Sequence, residues 1–164
     1  MIVISDTSAI TNLAAIKHLH LLPQLYSQVT VPEAVYQELA DIDPPVPGTL
    51  EAQSADWLQV RPVTNFTVVA RLRNERSLDP GESEAIALAL ELKADLLLID
   101  ERRGRAEADR LGLRIIGLLG VLVEAKDKNL IAAVKPLIDA MIATSEFRVS
   151  SVLYNQILEM VDET

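Results

Sequence analysis

Cysteine is absent from the 164 residues, which removes disulfide scaffolds, thiolate zinc sites and cysteine nucleophiles together. Imidazole is almost absent as well: the two histidines, His18 and His20, stand two apart and cannot share a helix face. Aromatics make up 4% of the chain against 49% hydrophobic residues, so the interior must be built from Leu, Ile, Val and Ala. Such a core suits buried parallel strands covered by helices. The longest apolar runs, residues 2–4 and 96–99 among them, are far too short to span a bilayer. The first strand-like run has no charged leader ahead of it, so the expectation is a soluble, cytoplasmic protein with no membrane partner. Positive charge is also scarce, with 15 Lys+Arg against 24 Asp+Glu and a net charge of −9. An acidic total argues against nucleic-acid binding, because Lys and Arg supply most of that affinity. The deficit is uneven, however. Residues 1–60 set Lys17 alone against seven acids, and residues 131–164 set two bases against five acids, whereas residues 61–130 balance twelve against twelve.

What is present alternates. Residues 1–5 (MIVIS) read as a strand that stops at Asp6-Thr7-Ser8, a cluster able to cap a helix carrying Ile10, Leu13 and Ala14. A second helical stretch at 19–26 and a strand at 29–31 follow, and Pro32 suits the first position of a helix through Val35, Tyr36 and Leu39. Residues 49–55 form a short helix after a Pro/Gly loop, and 57–63 an edge strand limited by Pro62. A helix at 68–76 precedes Asp79-Pro80-Gly81-Glu82, which resembles a capping box. That helix runs to 92 or 93, and a strand at 95–99 ends at Asp100. A helix at 103–111, a strand at 113–116 and helices at 119–126, 136–143 and 150–161 complete the chain. Strands alternating with helices predict one α/β domain on a parallel sheet, in which function gathers just after the strand ends.

Four acids occupy such places. Asp6 and Asp100 each follow an apolar strand directly, and two central, neighbouring strands would bring them to one crevice; helix capping and a polar turn are the bland alternatives. Glu38 shares a helix face with Ala34 and Val35, where the nearby chain offers only Lys17 as a partner, unless it is a boundary residue reaching solvent. Glu82 precedes Ala85, Ile86 and Ala89 on an inward face, and its place in the capping box competes with a site role. Glu84 aligns instead with Leu88 and Glu91 on the side of that helix. Converging carboxylates without bases repel one another, and a divalent cation resolves the repulsion. Oxygen donors select Mg2+ or Mn2+ over Zn2+, which suits phosphodiester cleavage.

The opening IVISDTSAITNLA, then VPEAVYQEL, LDPGESEAIALALEL, LLLIDERRGRAEA and LRIIGLLGVLVEAK, resemble in order the blocks of a PIN-domain protein, in a branch similar to the VapC-type toxin ribonucleases. KPLIDAM and FRVSSVLYNQIL resemble the helical ending of a PIN subgroup. The resemblance implies a PIN-like α/β fold with a five-strand parallel sheet flanked by helices, comprising a core at 1–130 and a C-terminal helical extension at 131–164 packed on it. It implies Mg2+- or Mn2+-dependent cleavage of RNA by an acidic quartet carried by Asp6, Glu38, Glu82 and Asp100. Glu101 competes with Asp100 for the fourth place if the register is one residue later, and is a candidate metal ligand with Asp6, Glu82 and Asp100. Thr7 and Ser8 would orient Asp6 or a water, a role that helix capping explains equally well. Arg102, Arg103 and Arg105 are candidate RNA contacts; the alternative is an exposed helix with Arg103 paired to Glu107 and Arg105 to Asp109. A small antitoxin partner and a homodimer are implied by the resemblance alone. The other class of function is a catalytically weak or inactive PIN-like module for binding nucleic acid or protein.

Overall fold

A computed structural model describes residues 1–145 and 147–164. The elements in chain order are β1 (Val3–Ser5), α1 (Thr7–Ala15), α2 (Leu21–Tyr26), β2 (Val29–Pro32), α3 (Glu33–Ala40), α4 (Thr49–Ser54), β3 (Leu58–Arg61) and α5 (Phe66–Glu75). They continue with α6 (Pro80–Leu92), β4 (Leu96–Leu98), α7 (Arg102–Arg110), β5 (Ile115–Ile116), α8 (Leu118–Asp127), α9 (Lys135–Thr144) and α10 (Ser151–Met160). The five strands form one parallel sheet in the order β3-β2-β1-β4-β5. This is the α/β architecture expected of a PIN-like fold.

The apolar strands bury both faces. In β1, Val3 joins the core on one side of the sheet and Ile4 the core on the other; in β4, Leu96 and Leu98 face one side and Leu97 the other. One core is closed by α5, α6 and α7, through Leu72, Ile86 and Ala108. The opposite core takes Leu13 of α1, Leu22 of α2, Val35 of α3, Leu122 of α8, Ile138 and Met141 of α9, and Ile157 of α10. No helix among the described residues is long and apolar enough to cross a membrane.

Local chemistry sets the helix ends. Asp79 accepts a hydrogen bond from the Glu82 N–H at 2.7 Å, and Pro80 starts α6 where its missing N–H costs nothing. The reciprocal half of the capping box is not made, because Glu82 turns its carboxyl into the crevice described below. Pro32 is the cap of α3 and the last residue of β2 rather than the first helical residue, since its extended backbone still pairs with Arg61 of β3. Beyond α7, Gly112 sits at φ +81°, a left-handed conformation that a side chain disfavours even where space is open.

Strand order places the site. From β1 the chain steps outward one way to β2 and β3, and β4 and β5 lie on the other side of β1. The order therefore reverses between β1 and β4, which pair with Ser5 opposite Leu98. A crevice outside the carboxyl ends of those two strands is where such a sheet binds its ligand.

Candidate active site

Asp6 leaves β1 at this reversal, held to the next strand by its N–H donating to Leu98 O at 2.9 Å. Its side chain caps α1, with Oδ1 accepting from Ala9 N at 3.0 Å, while Oδ2 accepts from Ser8 Oγ at 3.2 Å and from Asp100 N at 3.4 Å. Capping and a place in the crevice are thus one geometry. Asp100 follows β4, and its Oδ1 accepts from Leu118 N at the start of α8, 3.1 Å away. The backbone of Asp100 thus meets the side chain of Asp6, while the two carboxyl groups serve different helix starts.

Two helices bring the other acids. Glu38 of α3 accepts a hydrogen bond from Thr7 Oγ1, a partner thirty-one residues away that replaces the Lys17 considered from sequence. Glu82 of α6 joins Asp6, Thr7, Ser8, Thr11, Glu38 and Asp79 around a small crevice of about 160 Å3. Asp79 and Thr11 are additions to the candidate set. Asp79 was legible only as a cap, and nothing in the local sequence of Thr11 marks it. Glu84 lies outside the crevice lining, and its carboxylate accepts from Ala34 N at 3.2 Å, at the start of α3.

Glycines make room for these carboxylates. A Cβ on Gly81 would stand 2.9 Å from both Glu38 oxygens, and one on Gly117 would stand 2.8 Å from Asp100 Oδ1 and 2.6 Å from Arg105 Nη1. The side chains of Glu38 and Asp100 hence occupy space that any larger residue would take.

The electrostatics oppose ionisation. Burial pushes the Asp6 carboxyl up to about 7, and the charge of Asp100 adds to the effect against the hydrogen bonds from Ala9, Asp100 and Ser8. Glu82 is likewise pushed up to about 7 by burial, then by the charges of Asp79, Glu101 and Asp6. Glu38 is raised by burial, with Asp79 and Glu84 adding and the Thr7 hydrogen bond opposing. Asp100 is raised by burial, moderated by Leu118 N–H and by the Arg105 charge. In donor chemistry this set of carboxylates and hydroxyls fits a hard divalent cation, whose charge would relieve the repulsion. In geometry Asp6, Glu38, Asp79 and Glu82 line the crevice and Asp100 adjoins it through its N–H on Asp6; among the described residues no three His, Cys, Asp or Glu groups stand together as a ready-made metal cluster.

The two acids competing for the fourth place have different surroundings. Asp100 contacts Asp6 through its N–H, whereas Glu101 caps α7, accepting from Arg103 N at 2.9 Å and Gly104 N at 3.2 Å. Of the following arginines, Arg102 and Arg103 are exposed, and Arg105 folds back to donate from Nη1 to Ile99 O at 3.0 Å. The expected pair of Arg103 with Glu107 is replaced: buried Glu107 takes Arg110 on its own helix and Arg76 from the end of α5, at 3.5 Å. Arg105 likewise turns to the backbone of Ile99 rather than to Asp109.

The molecule is thus of the parallel α/β class, with an acidic crevice at its order reversal. The chain belongs to the PIN-domain family DUF3368, which matches residues 2–163. Family membership supports a nuclease-type, hydrolytic function and the general use of divalent metal ions. In structure the chain is similar to a PilT N-terminus domain protein from the hyperthermophilic archaeon Sulfolobus solfataricus P2. That likeness has 22% identity and a TM-score of 0.50 over 76% of this chain and 93% of the other, and it supports the fold. No curated protein matches the chain.

Proposed function

We propose that this protein is an Mg2+- or Mn2+-dependent endoribonuclease that hydrolyses RNA phosphodiesters, of the VapC-like toxin type. The observation that carries the reading is the contact of Asp100 N with Asp6 Oδ2 at the strand-order reversal, with Glu38 and Glu82 brought to the same crevice by two separate helices. Helix capping accounts for Asp6 and Asp100 but not for Glu38 and Glu82 gathering beside Asp6, and all four carboxyls are held above their ordinary range.

In this reading Asp6, Glu82 and Asp100 hold the cation, with Glu101 as the neighbouring acid able to join them. The bound cation supplies positive charge for the scissile phosphate and favours ionisation of the attacking water. Glu38, fixed by Thr7 and by the space at Gly81, would orient that water and accept its proton; burial raises its carboxyl, which makes it a stronger base than an ordinary glutamate. Ser8 fixes the rotamer of Asp6. Protons held by Asp6 and Glu82 leave when the cation enters, so binding should strengthen as pH rises through about 7. A small antitoxin partner and a homodimer belong to the same proposal.

A second reading is favoured by one observation, the absence of a ready-made cluster of three acids among the described residues. It makes the chain a PIN-like binding module without catalysis. Titration with Mn2+, followed by incubation with single-stranded RNA, separates the two. Saturable Mn2+ binding lost in Glu82→Gln, together with Mn2+-dependent cleavage, supports the nuclease. Absence of Mn2+ binding and of cleavage supports the module.

A further inference from the structure

We propose that Arg148, on the connection between α9 and α10, is a phosphate-binding residue that works with Arg105 to seat an RNA strand beside Asp100. The inference rests on the nuclease reading and names the path of its substrate. Two clefts flank Asp100. One, of about 940 Å3, is walled by the hydroxyl and amide side chains of Ser8, Thr11, Asn12 and Thr144. The other, of about 420 Å3, lies along β5 and the start of α8, with Arg105 in its wall. Both clefts share Asp100, Phe147 and Arg148. These three residues therefore form the saddle over which a strand must pass from one cleft to the other.

The saddle sets Arg148 beside the acid Asp100, with Glu101 also in the wall of the larger cleft, so a polyanion there would depend on Arg148 and Arg105 for its counter-charge. Phe147 is buried and anchors the connection in the core, while Arg148 beside it is exposed. Residues 131–164 hold only two bases, Lys135 and Arg148, and Lys135 is spent on Asp139 at 2.9 Å. Arg105 is tethered to Ile99 O, which fixes its guanidinium near Asp100. Arg148 and Arg105 line the same smaller cleft, and a guanidinium binds phosphate oxygens by paired hydrogen bonds. The larger cleft offers neutral donors and acceptors suited to ribose hydroxyls and base edges, and a single strand exposes both.

The test measures binding apart from cleavage. Asp6→Asn protein, the proposed non-cleaving background, is titrated with a short fluorescein-labelled single-stranded oligoribonucleotide at several salt concentrations, alone and combined with Arg148→Ala, Arg148→Lys or Lys128→Ala. Arg148→Ala is expected to weaken binding about tenfold, the loss of one charge-assisted contact. It is also expected to reduce the slope of log K against log salt by about 0.7, the share of one phosphate on a single strand. Arg148→Lys keeps the slope, and Lys128→Ala, at the far end of α8, changes neither quantity. In the cleaving protein Arg148→Ala raises KM and leaves kcat alone. Unchanged affinity and slope in Arg148→Ala, with RNA still cleaved by the unmodified protein, overturns the phosphate site and leaves the nuclease intact. An Arg148-dependent slope without cleavage supports the site and moves the function to the binding module. No binding and no cleavage by the unmodified protein overturns both.

Discussion

Replacing Asp6 by Asn is expected to stabilise the protein at alkaline pH while leaving it little changed in acid. Asp6 is only 2% exposed, and its carboxyl moves from an ordinary 3.8 up to about 7, by burial first and then by the charge of Asp100. A carboxyl raised on folding binds more protons in the native state, so native stability falls as pH rises from the unfolded value to the folded one. From pH 5 to the folded value near 7 is about two pH units, at about 1.4 kcal/mol each, so ionising Asp6 removes up to about 3 kcal/mol by pH 8. Asn escapes this loss and remains a good cap for α1 through its carbonyl. Its NH2 group does not accept from Ser8 Oγ and Asp100 N, which costs about 1 kcal/mol. Between the ordinary 3.8 and pH 5 the parent has already lost about as much as those hydrogen bonds are worth, so the variant should match the parent at pH 5 and exceed it by about 3 kcal/mol at pH 8 in EDTA. Urea unfolding at the two pH values reads this as a shift in midpoint at constant m. Mn2+ at pH 8 should then raise the parent's midpoint and leave the variant's unchanged. Equal destabilisation of Asp6→Asn at both pH values would refute the claim that the buried carboxylate is held against its preference.

Gly81→Ala is expected to swing the Glu38 carboxylate away from Thr7, because the new methyl would stand 2.9 Å from both oxygens. Metal-dependent cleavage should fall by about tenfold to a hundredfold, with thermal stability held or raised because alanine favours a helix. Unchanged kcat in that variant would remove Glu38 from the catalytic set. Glu107→Ala should cost about 1 kcal/mol at pH 7, a surface-like value because its partners Arg110 and Arg76 are about half exposed and resolvate. The Glu107 carboxyl is held below its ordinary range by the Arg110 hydrogen bond, so its contribution is full above the ordinary value and is lost as pH falls from there through the lowered one. Denaturation midpoints of parent and variant should accordingly converge in acid.

Much of the site was legible because its parts are local. Asp6 and Asp100 stand one or two residues beyond short apolar runs, and a parallel sheet brings such positions together whenever the strands are neighbours. Asp79-Pro80 announces a helix start, and the apolar spacing after Glu82 turns that residue inward. What escaped the sequence reading depends on contacts between distant segments. Thr7 meets Glu38 only after α1 and α3 are packed, and Gly81 and Gly117 look like ordinary turn or helix residues until the carboxylates beside them are seen. Arg148 carries no local signal; Phe147 inserts into the core and sets its position. The pairing of Glu107 with Arg76, across two helices, likewise overrode the spacing of four residues that suggested Arg103. The net charge of −9 takes on a different sense once placed, since the raised carboxylates of the crevice are part of that excess and the two cleft arginines stand beside them.

The most direct test is cleavage of single-stranded RNA with Mg2+ or Mn2+ by the unmodified chain and by Asp6→Asn, with circular dichroism verifying that both are folded. Cleavage by the unmodified chain that stops in EDTA and is abolished by the substitution is the result expected here. Cleavage retained in full by the folded Asp6→Asn protein would contradict it.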